Sequence, residues 1–177
     1  MTFTEAALPG VFMIEAELFA DERGSFEAAW QREAFARHGL ETAIAQGSLV
    51  ANRRRGTIRG LHYQAPPFDE VKIVRVIRGA VFDIALDLRP DSATYRQWLG
   101  IELSAENRRI VYLPRGFAHG YQTLADNTEV LYFVSTVYAP DHQRGVRWND
   151  PAFRIAWPID GPSAISERDA AFPDFTG

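Results

Sequence analysis

Short apolar runs bounded by turn residues follow one another along most of the chain. Residues 80–88, for example, form such a run, with Asp83 and Asp87 as its only polar residues, and stop at the turn sequence Arg89-Pro90-Asp91. Alternation with a period of two, closed by Gly, Pro, Asp or Asn, is typical of β-strands. The pattern predicts strands at 11–19, 57–63, 71–77, 80–88, 98–103, 109–113, 118–123 and 129–138. So many short strands indicate an all-β sandwich or barrel.

Helical signals are few. Residues 27–38 contain helix-forming side chains and precede Gly39, which suits a helix C-terminus. Residues 104–107 have the composition of a single turn. We therefore expect a β domain with a few short helices.

The C-terminal segment, about residues 150–177, is rich in Pro, Asp and Ser, and we expect it to wrap around the domain. It predicts one short helix near 166–170, with Ser166 as its N-cap and Asp169 at the third helical position. No linker or repeat divides the sequence, so we expect a single domain over residues 1–177.

Composition excludes several classes of protein. The net charge of −4 and pI of about 5.6 argue against a nucleic-acid-binding protein, which needs a basic surface. The absence of cysteine excludes disulfides, thiolate metal sites and cysteine nucleophiles. The N-terminus lacks a signal-peptide pattern and no apolar stretch approaches ~18 residues, so we expect a cytoplasmic protein without a membrane partner.

Residues 59–64 read RGLHYQ and form the first cluster with chemical potential. If this segment is a regular strand, His62 and Gln64 share one face and Arg59 lies on the other. A histidine and an amide would then point together into a barrel. A core histidine with satisfied hydrogen bonds is an equally good interpretation of His62 taken alone.

A second cluster, PRGFAHG at residues 114–120, contains the pattern P-x-G-x-x-H. This pattern resembles the second cupin motif, in which the histidine, here His119, is a metal ligand. The first cupin motif requires H-x-H, whereas this chain has His62-Tyr63-Gln64. One histidine and one amide make a poor divalent-metal site, so the sequence favours a metal-free cupin without a cofactor.

Three further polar residues have ordinary structural interpretations when considered singly. Lys72 can extend along apolar surface, Tyr132 can belong to the core and Asp169 can cap a turn. Together with His62 they provide a base, a group that orients it, an acid and a cation. Arginines also suit phosphate oxygens, and Arg23, Arg59 and the run 53–55 are candidates, although a solvated surface explains the run equally well.

These motifs, taken in order, resemble the dTDP-4-dehydrorhamnose 3,5-epimerase family. The resemblance rests on RGLHYQ, the lysine-bearing strand before RGAVFDIALDLR, PRGFAHGY, RGVRWNDPAF near Arg144, and the tail ISERD ending at Asp169. It extends from Asp21 to Pro173. It implies a double-stranded β-helix (the cupin jelly roll), a homodimer that usually exchanges an N-terminal strand, a substrate such as dTDP-4-keto-6-deoxyglucose, and no metal.

The resemblance also implies roles for particular residues. His62 corresponds to the general base, Asp169 to the carboxylate that orients it, Tyr132 to the acid on the opposite face and Lys72 to the group that stabilises the enolate oxygen. Substrate-binding positions correspond to Arg23, Phe26, Gln46, Arg59, His119, Tyr138 and Arg168.

Several positions depart from the family pattern. Ala28 stands where a glutamate is common, and residues 46–48 read QGS in place of QDN. Gln143 replaces a common glutamate and Arg168 a lysine. The departures leave the catalytic set intact and leave the nucleotide base preference open.

Four functions remain to be distinguished. The main one is epimerisation at C3 and C5, or at C3 only, of a nucleotide-linked 4-keto-6-deoxyhexose. A nucleotide-sugar ketoisomerase shares the fold, but a proton donor at Tyr132 favours inversion. A metal-dependent cupin oxygenase needs the missing H-x-H motif. A non-catalytic sugar-binding cupin has no need for paired His62 and Asp169.

Overall fold

The structure, a computed structural model that describes residues 1–177, is built almost entirely from β-strands. The strands are β1 (Thr2–Glu5), β2 (Phe12–Glu15), β3 (Phe19–Asp21), β4 (Gly24–Phe26), β5 (Gln46–Asn52), β6 (Ile58–Gln64), β7 (Lys72–Arg78), β8 (Ala80–Asp87), β9 (Trp98–Ser104), β10 (Ile110–Leu113), β11 (Phe117–Thr123), β12 (Thr128–Val134) and β13 (Gln143–Gly145). The two α-helices are α1 (Arg32–Arg37) and α2 (Glu167–Ala170).

Two antiparallel sheets form the body of the protein. The first has the order β1-β2-β10-β7-β12-β5 and the second β13-β6-β11-β8-β9, while β3 and β4 form a separate hairpin. Neighbouring strands are mostly far apart in sequence, as in a jelly roll. This arrangement confirms the all-β double-stranded β-helix that the sequence predicted.

The main core lies between the two sheets, because each strand turns its apolar face toward the other sheet. Val74 and Val76 of β7 share a buried cluster with Val81 and Ala85 of β8. Their spacing of two residues is the pleat period of a strand. The same period places Asp83, between Val81 and Ala85, on the inner face.

The predicted helix at 27–38 is much shorter in the structure. Only Arg32–Arg37 is helical, with Phe35 fully buried against the first sheet and Gly39 in a left-handed conformation after the helix. Residues 27–31 before it form no regular secondary structure, and the Glu27 carboxylate forms an ion pair with Arg75 of β7. Neither α-helix has the length and apolar run needed to cross a membrane.

Several strand predictions had the wrong bounds. The run 11–19 contains β2 and then leaves the sheet, so its last residue belongs to β3. The run 129–138 ends as a strand at Val134. Strands β1, β4, β5 and β13 were not predicted, since they are very short or lack a regular alternation of polarity. The remaining predicted strands agree with the structure within one or two residues.

The C-terminal segment covers the outer face of the second sheet. Phe153 and Phe175 pack against Leu61 of β6 and Leu86 of β8. The segment then brings α2 to the end of β6. Ser166 caps α2 by accepting a hydrogen bond from the Asp169 N–H at 3.1 Å, as the sequence predicted.

Candidate active site

A cavity of about 720 Å³ opens between the two sheets, beside α2. Nine of the eleven residues that the sequence singled out line it. These nine are Gln46, Arg59, His62, Lys72, His119, Tyr132, Tyr138, Arg168 and Asp169. Residues separated by more than 120 positions in the chain thus line a single cavity.

His62 and Asp169 form a hydrogen-bonded pair on one wall. Nε2 of His62 lies 2.7 Å from Oδ1 of Asp169, and the carboxylate is almost fully buried. Because Asp169 accepts from Nε2–H, the tautomer leaves a lone pair on Nδ1, which has no partner within the protein. The pair therefore presents a basic nitrogen to the cavity.

An irregularity in β6 positions this pair. His119 of β11 lies opposite His62, but Tyr121 lies opposite Arg59, so β6 contains one extra residue there. A Cβ on Gly60 would lie 2.6 Å from the His119 carbonyl oxygen, so only glycine permits this approach. The Gly60 N–H, freed from regular pairing, donates to Oδ2 of Asp169 at 3.0 Å.

The same irregularity corrects the prediction that Arg59 and His62 face opposite ways. Both line the cavity, because the extra residue shifts the alternation by one. Arg59 is held there by Asn52 of β5, whose side-chain oxygen accepts from Nε at 2.7 Å. Its terminal nitrogens remain available to a ligand.

The pKa values of the pair are shifted downward. Burial lowers the pKa of His62, and this effect outweighs the hydrogen bond and charge of Asp169, which raise it. Burial alone would raise the pKa of Asp169, but hydrogen bonds from His62 and the Gly60 N–H lower it to about 2. At neutral pH the pair is a neutral imidazole beside a carboxylate.

Lys72 and Tyr132 approach from the opposite sheet. Lys72 on β7 is paired in register with Val134, and Tyr132 on β12 with Val74, so both side chains lie on the inner face. The Lys72 ammonium donates to the His62 carbonyl oxygen at 3.1 Å. A cation and a phenol thus face the histidine across the cavity.

His119 contacts a carboxylate that the sequence did not single out. Its Nε2 lies 2.8 Å from Oδ2 of Asp83, which is fully buried on β8. The other oxygen, Oδ1, has no hydrogen-bond partner in the protein. The available signal was a charged residue at an inward position of a strand that is apolar apart from Asp83 and Asp87.

At the mouth of the cavity, Gln143 connects two of the predicted binding residues. Its side-chain oxygen accepts from the Tyr138 hydroxyl at 2.5 Å and from Arg168 at 2.9 Å. Gln46, at the start of edge strand β5, also lines the cavity. The departures Gln143 and Arg168 therefore lie together at the rim.

Arg23 and Phe26 do not line the cavity of this chain. They lie on the β3–β4 hairpin, where Phe26 is 69% exposed and Arg23 pairs with Asp21. The run 53–55 is exposed too and lies outside the cavity. Strand β1 pairs with β2 of the same chain.

Nowhere do three His, Cys, Asp or Glu side chains converge in a way that could hold a metal ion. The cavity instead combines a base, an orienting carboxylate, an ammonium and a phenol. This set can remove a proton from carbon beside a carbonyl group and return one from the other side.

Comparisons with known proteins agree with this chemistry. The model of the dTDP-4-dehydrorhamnose 3,5-epimerase family matches residues 5–177. An enzyme of that name from Pseudomonas aeruginosa is 41% identical over 96% of this chain and 93% of its own length.

Two solved structures extend the comparison to the fold. A dTDP-4-dehydrorhamnose 3,5-epimerase from Bacillus anthracis, with TDP and PPi bound, has a TM-score of 0.95 at 37% identity, covering 98% of this chain and 99% of that one. A dTDP-6-deoxy-D-glucose-3,5-epimerase from Legionella pneumophila, in complex with dTDP-4-keto-L-rhamnose, has a TM-score of 0.91 at 32% identity, covering 97% and 90%. The chain therefore belongs to the dTDP-4-dehydrorhamnose 3,5-epimerase family.

Proposed function

We propose that this protein is an isomerase that epimerises the carbons flanking the 4-keto group of a dTDP-linked 6-deoxyhexose. The observation that carries the proposal is the His62–Asp169 pair facing Lys72 and Tyr132 across one cavity. Family membership and the dTDP-linked ligands of the related structures support the same substrate class.

His62 acts as the base. Hydrogens on C3 and C5 are acidic because the electron pair left by deprotonation delocalises into the C4 carbonyl as an enolate. The free Nδ1 takes the proton, and the imidazolium that results is stabilised by Asp169 at 2.7 Å. Since burial lowers the pKa of His62, the imidazole is in its basic form at neutral pH.

Tyr132 completes the inversion. It projects from the sheet opposite His62, so its hydroxyl approaches the sugar ring from the other face. The phenol gives its proton to the carbon as the enolate collapses to the ketone. Solvent then reprotonates the phenolate and accepts the proton held by the His62 imidazolium. A single base that returned its own proton would mostly restore the starting configuration.

Lys72 stabilises the enolate oxygen. A preorganised donor in a cavity that excludes water acts on the charge that develops during reaction. Removing one such donor typically lowers the rate roughly 10²–10³-fold.

Arg59, His119 and Arg168 are placed to bind the nucleotide diphosphate, whose role is to position the sugar. The planar guanidinium of Arg59 has unpaired terminal nitrogens and suits phosphate oxygens. Gln46 and Tyr138 complete the rim on the side of β5 and β12.

The active form is a homodimer. Phe19 and Phe26 are 57% and 69% exposed on the β3–β4 hairpin, and Leu49 is 61% exposed on edge strand β5. Exposed apolar side chains beside an unpaired strand edge favour association. A hairpin laid against β5 of a second copy would bring Arg23 and Phe26 to the cavity that Gln46 lines.

The proposal is tested by proton NMR of dTDP-4-keto-6-deoxyglucose in deuterated water, with His62→Ala as the control. Deuterium entering C3 and C5 identifies a 3,5-epimerase, and entry at C3 alone a 3-epimerase. Full activity of His62→Ala would contradict the role of His62 as the base. No exchange with any nucleotide-linked analogue would favour the ketoisomerase or the sugar-binding protein.

A further inference from the structure

Lys72 has a carboxylate partner inside the cavity that the mechanism above does not use. Oε1 of Glu70, two residues earlier in the chain, lies 3.3 Å from Nζ of Lys72. The two side chains are only 11% and 12% exposed. The ion pair is therefore largely shielded from water, where a charge–charge interaction is stronger than at the surface.

The second oxygen of Glu70 is also fixed. Oε2 accepts a hydrogen bond of 2.6 Å from Nε2 of Gln64, at the end of β6. Gln64 in turn accepts from the Ala139 N–H at 2.7 Å, which anchors it to the segment after β12. Both oxygens of Glu70 have protein partners, so the carboxylate acts on Lys72 and leaves deprotonation of the sugar to His62.

A buried lysine needs such a partner to remain an ammonium ion. Burial lowers the pKa of Lys72, whereas the charge and hydrogen bond of Glu70, followed by the charge of Asp83, raise it. Stabilising an enolate requires the charged form, because a neutral amine offers no full positive charge to the oxygen. The charged and titratable groups that face Lys72 or share its cavity are Glu70, Asp83, Asp169, His62, His119, Arg59, Arg168, Tyr63, Tyr121, Tyr132 and Tyr138.

We propose that Glu70 is a positioning residue that keeps Lys72 charged and aimed at the enolate oxygen, an inference that rests on the proposed epimerase activity. The negative charge of Glu70 partly offsets the positive charge that Lys72 presents to the enolate oxygen. The resulting loss of enolate stabilisation is smaller than the loss expected for a lysine without a partner, because burial would favour its neutral, deprotonated form.

The composition of the chain offers a direct test, because Lys72 is its only lysine. Protein labelled with ¹³Cε-lysine gives one lysine signal, whose chemical shift follows the protonation of Nζ as pH is varied. We expect the titration midpoint of Glu70→Gln to lie below that of the unsubstituted protein by about 1–3 pH units. Glu102→Gln, an exposed glutamate of β9 outside the cavity, is the matched control and should leave the midpoint unchanged.

Kinetics provide the second readout. In Glu70→Gln, kcat should fall about tenfold, which is less than the loss on removing the lysine itself, while KM stays nearly constant. The fall of kcat at alkaline pH, where Lys72 loses its proton, should move to lower pH. Glu70→Asp retains the charge and should return the alkaline decline toward its original position. The lysine signal can be measured whether or not the protein is an active epimerase. Failure of the proposed activity can therefore be distinguished from failure of the proposed Glu70–Lys72 interaction. An unchanged lysine midpoint in folded Glu70→Gln would overturn the proposal.

Discussion

The Asp169 carboxylate lies 2.7 Å from Nε2 of His62, although the two residues are separated by 107 positions in the chain. The contact depends on two backbone features: the irregularity of β6, which offers the Gly60 N–H, and the Ser166 cap, which begins α2. The wall that holds His62 is therefore assembled jointly by β6 and the C-terminal segment.

Asp169→Asn tests this pairing. The amide presents a donor or a weaker acceptor to Nε2, so the tautomer and the stabilisation of the imidazolium are lost. We expect deuterium exchange into the substrate to slow roughly 10²–10⁴-fold. Asp91→Asn, an exposed residue in the turn after β8, is the control and should exchange at the original rate. An active Asp169→Asn would remove Asp169 from the mechanism.

Tyr132→Phe should separate proton removal from inversion. His62 can still form the enolate, so deuterium should enter the substrate with its configuration retained. Net epimerisation should fall roughly 10²–10⁴-fold, since the acid on the opposite face is missing. NMR coupling constants distinguish the epimers, and Tyr95→Phe, outside the cavity, serves as the control. Equal loss of exchange and inversion would mean that Tyr132 is needed for proton removal as well.

The pH dependence of kcat/KM reports the titration of His62 in the free enzyme. Only the neutral imidazole accepts a proton, so activity falls as pH decreases through the pKa of His62. Because burial lowers this pKa from 6.5, we expect the acid limb to have its midpoint below 6.5. Initial rates at low substrate concentration between pH 4 and 8 measure it, and a midpoint above 6.5 would contradict the electrostatic argument.

Asp87 is expected to stabilise the fold. Burial raises the pKa of this residue, but hydrogen bonds from Arg89, Ser92 and Thr94 outweigh it and lower the pKa to about 2, from 3.8. A carboxyl group whose pKa is lowered by folding stabilises the protein above its unfolded pKa, and the effect disappears as pH falls from about 4 to 2. We expect Asp87→Asn to lower the free energy of unfolding by about 2 kcal/mol at pH 7.

Urea unfolding at pH 7 and at pH 3 measures this contribution. The difference between Asp87→Asn and the unsubstituted protein should be smaller at pH 3. Asp91→Asn, four residues away and exposed, should match the original protein at both values. A difference that does not depend on pH would indicate loss of packing or neutral hydrogen bonds in place of a charge effect.

The parts of the fold that the sequence predicted are those where local pattern and tertiary packing agree. Strand β8 is apolar apart from Asp83 and Asp87 and is buried on both faces, so its bounds were nearly correct. The helix predicted at 27–38 was too long, since residues 27–31 form no regular secondary structure and the Glu27 side chain pairs with Arg75 of a distant strand. Propensity along the chain carries no information about such a partner.

In the candidate site, too, the sequence predicted what local motifs encode and missed what depends on tertiary contacts. His62 and Asp169 were found through motifs, whereas the contacts of Asp83 and Glu70 depend on register and on how the strands approach each other. The orientation of Arg59 was wrong for the same reason, because an extra residue in β6 cannot be seen in the alternation. A charge at an inward position, as at Asp83, is the one signal that sequence offers for such residues.

The proposed homodimer predicts that Arg23 acts in the cavity of the second copy. Arg23→Ala should raise KM roughly ten- to a hundredfold through loss of a charge-assisted contact with the diphosphate. His62→Ala should be inactive. When the two variants are unfolded together and refolded, about half of the dimers contain one chain of each kind.

In these mixed dimers the two arrangements give opposite results. If Arg23 reaches across, one cavity of each mixed dimer combines an intact His62 with an intact Arg23, and activity at low substrate concentration rises above that of either variant alone. If Arg23 serves its own chain, every cavity carries one defect and activity does not rise. Mixing His62→Ala with Asp169→Asn is the control: both residues lie in one wall of the same chain, so activity should not recover.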